Sequence, residues 1–177
     1  MGAKTQRELE IPDGIDVSIE GSLVKVKGEK GELSRDFTYP NISFKKEGSK
    51  VIINTSINNK QERAMIGTYQ SHIKNMIKGI SEGYTYRMKI IFSHFPMTLK
   101  QKENLIEINN FLGEKAPRYS KVVGDAKVDL GKEEVTIEGI NKEEAGQTAA
   151  NLELATRVKG KDIRVFQDGI YLTEKPK

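Results

Sequence analysis

A repeat restricts the fold of this chain more than any other feature. Asn59, with Glu62 three residues later, opens one helix-like stretch, and Asn141 with Glu144 opens another. Gly79 and Gly160 stand as the matching C-terminal stops. The caps lie 82 residues apart and the glycines 81. Ahead of each stretch runs an extended segment, "SKVIINTSI" or "KEEVTIEGI", with Val51 and Val135 separated by 84. Further upstream "VKVKGEKG" meets "IEINNFLGEKAP", with Gly28 and Gly113 separated by 85. Four landmarks in one order and at nearly one spacing point to duplication of a unit of about 80 residues. The chain of 177 residues is therefore expected to form two small domains, residues 1–82 and 83–177, joined near "SEGYTYRM".

Hydrophobic spacing assigns the elements. Ile66, Tyr69, Ile73, Met76 and Ile77 recur at intervals of three and four, one face of a helix. Ala145, Thr148, Leu152, Ala155 and Val158 make a similar stripe, so the second helix is expected to run to Gly160. "IDVSIEGSLVKVKG" nearly alternates, as does "ELSRDF" beyond it. Strands on both sides make the intervening "GEKG" a hairpin turn, whereas a phosphate-gripping Gly-x-x-Gly loop needs flanking helices. "YTYRMKIIF" and "IRVFQDGIYL" suggest that each helix is followed by a strand returning toward a sheet. Phe166, Ile170 and Leu172 would then be core, and Asp168-Gly169 a turn or bulge. The expected class is α+β: two tandem domains, each a mainly antiparallel sheet packed against one long helix.

Little in the chain suggests catalysis. His72 falls inside the first helix, and His94 has no nearby histidine or obvious carboxylate partner, so neither makes a metal site of three or four ligands. No nucleophile elbow, Walker loop or dinucleotide fingerprint is present. The pairs Glu133-Glu134 and Glu143-Glu144 read as solvated or cap-associated charge. No enzyme, metal or cofactor is expected. The chain has no cysteine, which suits a reducing compartment. It shows no apolar run of the roughly 20 residues that span a bilayer. The opening "MGAKTQRELEIP" has no signal-peptide segment, and Gln6 stands where an N-myristoylation signal wants Ser or Thr.

Charge placement is more informative than the net charge of +4. Residues 83–102 hold four bases (Arg87, Lys89, Lys100, Lys102) and no acid; residues 115–121 hold three (Lys115, Arg118, Lys121) and no acid. Residues 122–156 reverse the balance with three bases and eight acids. Residues 157–177 return to six bases (Arg157, Lys159, Lys161, Arg164, Lys175, Lys177) against three acids. Segregation of this kind can focus potential and draw a phosphate backbone, and these bases are the candidate nucleic-acid contacts. Lys159 and Lys161 also suit the end of a helix, while the planar donor fork of Arg164 suits a phosphate. Solvated strand faces remain the plainer alternative.

The duplicated plan, with "NMIKGISEGYTYRMKIIFSHFPMTL", "INNFLGEKAPR" and "VKGKDIRVFQDGIYLTEK", closely resembles the large-subunit ribosomal protein six family in its archaeal and eukaryotic form. The resemblance covers essentially the whole chain. Its most specific residues are Lys161, Arg164, Phe166, Asp168, Gly169, Ile170, Tyr171, Leu172 and Lys175; Leu154 departs from the pattern, where Gln is usual. The resemblance implies a cytoplasmic structural protein that binds large-subunit ribosomal RNA near the stalk base and the sarcin–ricin loop. Neighbouring ribosomal proteins and docking translation factors would be its partners, and the second domain its main RNA-binding half. A duplicated protein–protein interaction module with solvated basic faces is the other expectation.

Overall fold

The computed structural model describes residues 6–55, 57 and 59–176, which fall into two compact units, Met1–Gly83 and Tyr84–Lys177. In the first unit the strands are β1 (Gln6–Glu10), β2 (Asp16–Glu20), β3 (Leu23–Gly28), β4 (Gly31–Asp36), β5 (Ile42–Glu47) and β6 (Lys50–Thr55). The helix α1 (Lys60–Ser81) follows. The strands form two antiparallel sheets, β1-β6-β5 and the meander β2-β3-β4. Ile66, Ile73 and Ile80, at the expected helical spacing, bury against Val24, Val26, Val51 and Ile53.

The second unit repeats this order. Its strands are β7 (Tyr84–Ile91), β8 (Thr98–Lys102), β9 (Leu105–Asn109), β10 (Arg118–Lys121), β11 (Lys127–Leu130) and β12 (Glu134–Gly139). Helix α2 (Lys142–Ala155) and a last strand, β13 (Gly169–Glu174), complete it. The meander β8-β9-β10 matches β2-β3-β4, and β11-β12-β7 matches β5-β6-β1, with β13 added beside β7. Residues of β7 alternate between buried and exposed along its whole length, the signature of a strand covered on one face. Its buried set, Tyr84, Tyr86, Met88 and Ile90, packs with Ile106, Ile108, Ile137, Leu152 and Ile170. The α+β duplication read from the sequence is thus the architecture of the chain.

The cap and turn chemistry is local and matches the residue types. Asn59 Oδ1 accepts from the Glu62 amide at 2.7 Å, and Asn141 Oδ1 accepts from the Glu143 amide at 3.0 Å. Asn141 Nδ2 also donates to Glu144 Oε1 at 2.8 Å, which makes that acid part of the cap. "GEKG" is a hairpin turn in which Gly28 pairs with Gly31. A Cβ on Gly28 would lie 2.5 Å from Ile80 Cγ2, so the close approach of helix to hairpin requires glycine there. "GEKA" occupies the corresponding β9–β10 connection, a longer one that includes a 3-10 turn at Phe111–Gly113.

Four expectations are corrected. Gly79 lies buried inside α1, which continues to Ser81; Gly83, with φ +82°, takes the left-handed stop position instead. The strand after α1 is not the counterpart of the strand after α2: β7 pairs with β12 and β13 and corresponds to β1. The second helix ends at Ala155, not Gly160. There the Thr156 hydroxyl donates to the Leu152 carbonyl at 3.1 Å and accepts from the Ile170 amide at 3.0 Å, so the last turn is tied to β13 rather than propagated. Finally, "RVFQ" is not strand. Asp162 Oδ1 accepts from the Arg164 amide and the Asp162 carbonyl from the Phe166 amide, both at 2.9 Å, which curls the chain into a turn. Ile170 is fully buried and Leu172 partly so, as expected, but Phe166 is 38% exposed and outside the core.

Candidate nucleic-acid interface

The structure divides the described candidate cations among four places. The best-formed group lies where the β9–β10 connection meets residues 157–168, and Arg118 joins them. From the first position of β10 its guanidinium donates to both carboxylate oxygens of Glu114, at 2.6 and 2.8 Å. It also donates to the carbonyls of Ala155, the last residue of α2, and of Arg157 just past it, at 3.0 and 2.9 Å. The same group stacks over the Phe111 ring, 4.2 Å from its centroid. With its side chain only 20% exposed, Arg118 is a structural clamp, and its donors are already engaged.

What the clamp holds in place is exposed and basic. Lys115 lies on the β9–β10 connection, and Arg157, Lys159, Lys161 and Arg164 lie on the segment after α2. Among the described residues the side chains of Lys115, Arg157, Lys159 and Arg164 have no ion pair or hydrogen bond. Lys161 Nζ sits 4.8 Å from the Phe166 ring centroid, and its field reaches Glu114. Lys159, Lys161 and Arg164 are therefore loop residues rather than helix-end residues, so the macrodipole does not account for them.

The remaining candidates lie elsewhere. Arg87 and Lys89 project from the outer face of β7, where Arg87 pairs with Glu174 at 3.3 Å and Lys89 lies opposite Glu134. Lys100, Lys102 and Lys121 share the outer face of the β8-β9-β10 meander, and Lys102 pairs with Glu107 at 2.7 Å. Lys175 is exposed just past β13, and Lys177 lies outside the described residues. Of the histidines, His94 is exposed and His72 Nδ1 lies 3.2 Å from Arg35. Among the described residues no group of three or more His, Asp or Glu could hold a metal ion, and no helix is long and apolar enough to cross a membrane. Sequence reasoning missed the Arg118 clamp. Its one local signal was Glu114 four residues ahead in an otherwise acid-free stretch.

The clamp also sets an acid response. Its hydrogen bonds to Arg118 hold the Glu114 carboxyl below the usual glutamate range, helped by the charges of Arg118 and Lys161 against partial desolvation. A depressed carboxyl contributes stability above its unfolded value and loses it as pH falls through the folded one. The thermal midpoint is therefore expected to drop as pH goes below about 4.3, and Glu114→Gln should show a shallower drop. Parallel melts of the two proteins between about pH 6 and 3 check this; equal slopes would remove Glu114 from the account.

Fold and surface together define a tandemly duplicated α+β protein whose second unit carries a clamped, cation-rich loop surface. The family model for ribosomal protein L6 matches the chain twice, at residues 11–83 and 95–169. Large ribosomal subunit protein uL6 of Methanothrix thermoacetophila is 54% identical over 169 residues, 96% of each chain. Its namesake from Methanobrevibacter smithii is 54% identical over 175 residues, 99% of this chain and 98% of that one. The one from Staphylothermus marinus is 50% identical over 169 residues, 93% and 91% of the two chains. The chain belongs to the ribosomal protein L6 family.

Proposed function

We propose that this protein is a non-catalytic structural constituent of the large ribosomal subunit and binds the large ribosomal RNA chiefly through its second unit. The observation that carries the reading is the loop surface of Lys115, Arg157, Lys159, Lys161 and Arg164. All five side chains are exposed, and among the described residues four of them have no protein partner, on a backbone fixed by Arg118. Exposed cations with no internal partner keep their full charge for phosphate, and two arginines can each grip a phosphate with paired donors. Family membership supports the same reading, with the protein cytoplasmic in the assembled subunit. Its neighbours would be the proteins of the stalk base, near the sarcin–ricin loop, with translation factors docking close by. No cofactor or metal takes part.

Co-sedimentation tests this reading. The protein is expected to stay with large subunits through a high-salt wash that strips loosely bound factors. A free cytosolic pool held by a protein partner, with none on the subunit, would support an interaction module with solvated basic faces instead.

A further inference from the structure

The outer face of the β8-β9-β10 meander differs from its sister in the first unit in a way the fold does not require. Val24 and Val26 of β3 occupy the places of Ile106 and Ile108 of β9, buried in each core. The bond closing each meander falls at matching register: Phe37 amide to Ser22 carbonyl at 2.9 Å, and Val122 amide to Asn104 carbonyl at 2.8 Å. With the copies so aligned, the outward row Ser18–Lys25–Ser34 corresponds to Lys100–Glu107–Tyr119. The next row, Glu20–Leu23–Asp36, corresponds to Lys102–Leu105–Lys121. The backbone and the outward leucine are kept; two serines and two acids have become three lysines and a tyrosine, against one reverse change, Lys25 to Glu107. The face changes sign between copies.

Packing does not explain the change. Tyr119 is 58% exposed and Leu105 46%, and neither belongs to the core of the unit. The one acid of the face, Glu107, is held by Lys102 at 2.7 Å and also feels Lys100, which leaves Lys100 and Lys121 facing solvent. A protein partner is the poorer match, because lysine is depleted at the core of protein interfaces. A lysine-rich sheet face with an aromatic ring standing on it fits single-stranded RNA: the ring offers a stacking platform and the lysines meet the phosphates.

We infer that this face is a second RNA contact, separate from the clamped loop surface, in which Tyr119 stacks on an unpaired base while Lys100 and Lys121 hold its backbone. The inference rests on the reading of the chain as an RNA-binding protein and adds a ligand class, unpaired RNA, to it. Separation follows from the pleat: Arg118, next to Tyr119 on β10, points to the opposite side, toward the end of α2.

The chain has no tryptophan, so Tyr119→Trp places a single reporter indole on the face. The probes are an oligouridylate of about 12 nucleotides, within the site size such surfaces take, and deproteinised large-subunit RNA. Oligouridylate is expected to quench the indole, and to do so equally when Lys159, Lys161 and Arg164 are alanine. Tyr119→Ala should weaken oligouridylate binding by roughly 5- to 150-fold and Tyr119→Phe should restore it, the signature of stacking. Lys100→Gln with Lys121→Gln should flatten the log affinity against log salt slope by about 1.4. If the full-length protein binds the deproteinised RNA but the indole is unmoved by either RNA, this inference fails and the proposed function stands. Loss of quenching in the loop variant would merge the two surfaces and also overturn it. If neither RNA binds the unmodified protein, the proposed function itself fails.

Discussion

Replacing Arg118 with alanine is expected to destabilise the second unit by about 2–4 kcal/mol, more than any other single exposed-cation change. The side chain makes four charge-assisted hydrogen bonds and stacks on Phe111, and it is largely buried. Hydrogen bonds to charged groups contribute about 1.5–3 kcal/mol each when nothing replaces them. The pair with Glu114 is discounted, because that carboxylate is 41% exposed and water can resolvate it. The carbonyls of Ala155 and Arg157 set the larger part: they lie at and just past the end of α2 and would lose a cation placed to satisfy them. Arg118→Lys should not rescue, since a single ammonium cannot reach Glu114 and both carbonyls with one planar fork. Arg118→Leu should do better than alanine, because Leu33 holds this position in the first unit and is half-buried there. Calorimetric unfolding of the four proteins checks the order. A melt of Arg118→Ala within about 0.5 kcal/mol of the parent, as for an ordinary surface change, would contradict the clamp.

The second large effect is on RNA affinity. Alanine at Arg157, Lys159, Lys161 and Arg164 together should remove about four phosphate contacts. The slope of log affinity against log salt would then flatten by about 3.6 on duplex RNA treated with the B-DNA coefficient. Between about 50 and 200 mM salt that amounts to roughly two decades of salt-sensitive affinity. Stability should hold within about 0.5 kcal/mol, since all four side chains are exposed. The paired cations behave differently. Arg87→Ala, which frees Glu174, should change the slope by less than one contact, because that arginine is already partly neutralised. Deproteinised large-subunit RNA titrated at several salt concentrations separates these outcomes, and a slope untouched by the fourfold change would put the RNA on another face.

Most of the fold was legible because its determinants are local. The α1 stripe, both Asn caps and the "GEKG" hairpin depend on residues within a few positions of one another, and the repeat showed that each plan was used twice. What was not legible depends on partners far along the chain. Thr156 ends α2 by bonding the Ile170 amide, 14 residues on, so the apolar spacing that carried the stripe to Val158 misled. Phe166 was placed in a strand because "RVFQDGIYL" alternates, yet the Asp162 side chain competes for the same backbone. That β7 corresponds to β1 and not to the strand after α2 is a matter of pairing, which alternation cannot address.

The candidate site was legible in part. Segment charge singled out Lys159, Lys161 and Arg164 and the stretch containing Lys115, which the fold brings to one region. It could not separate cations with partners from those without, because Glu174 reaches Arg87 across 87 positions and Glu107 reaches Lys102 across a turn. It also assigned Arg118 to the ligand when its donors serve the protein. Tyr119 carried no signal at all until the two copies could be laid over each other by register.

The most direct test is a protein–RNA crosslinking map of intact large subunits carrying this protein. The prediction is crosslinks to the large ribosomal RNA concentrated at Lys115 and residues 157–164, with none from the β7–β12 face that carries Glu134 and Glu138. Crosslinks confined to the first unit, or to that carboxylate-bearing face, would contradict an RNA interface built on the loops that Arg118 clamps.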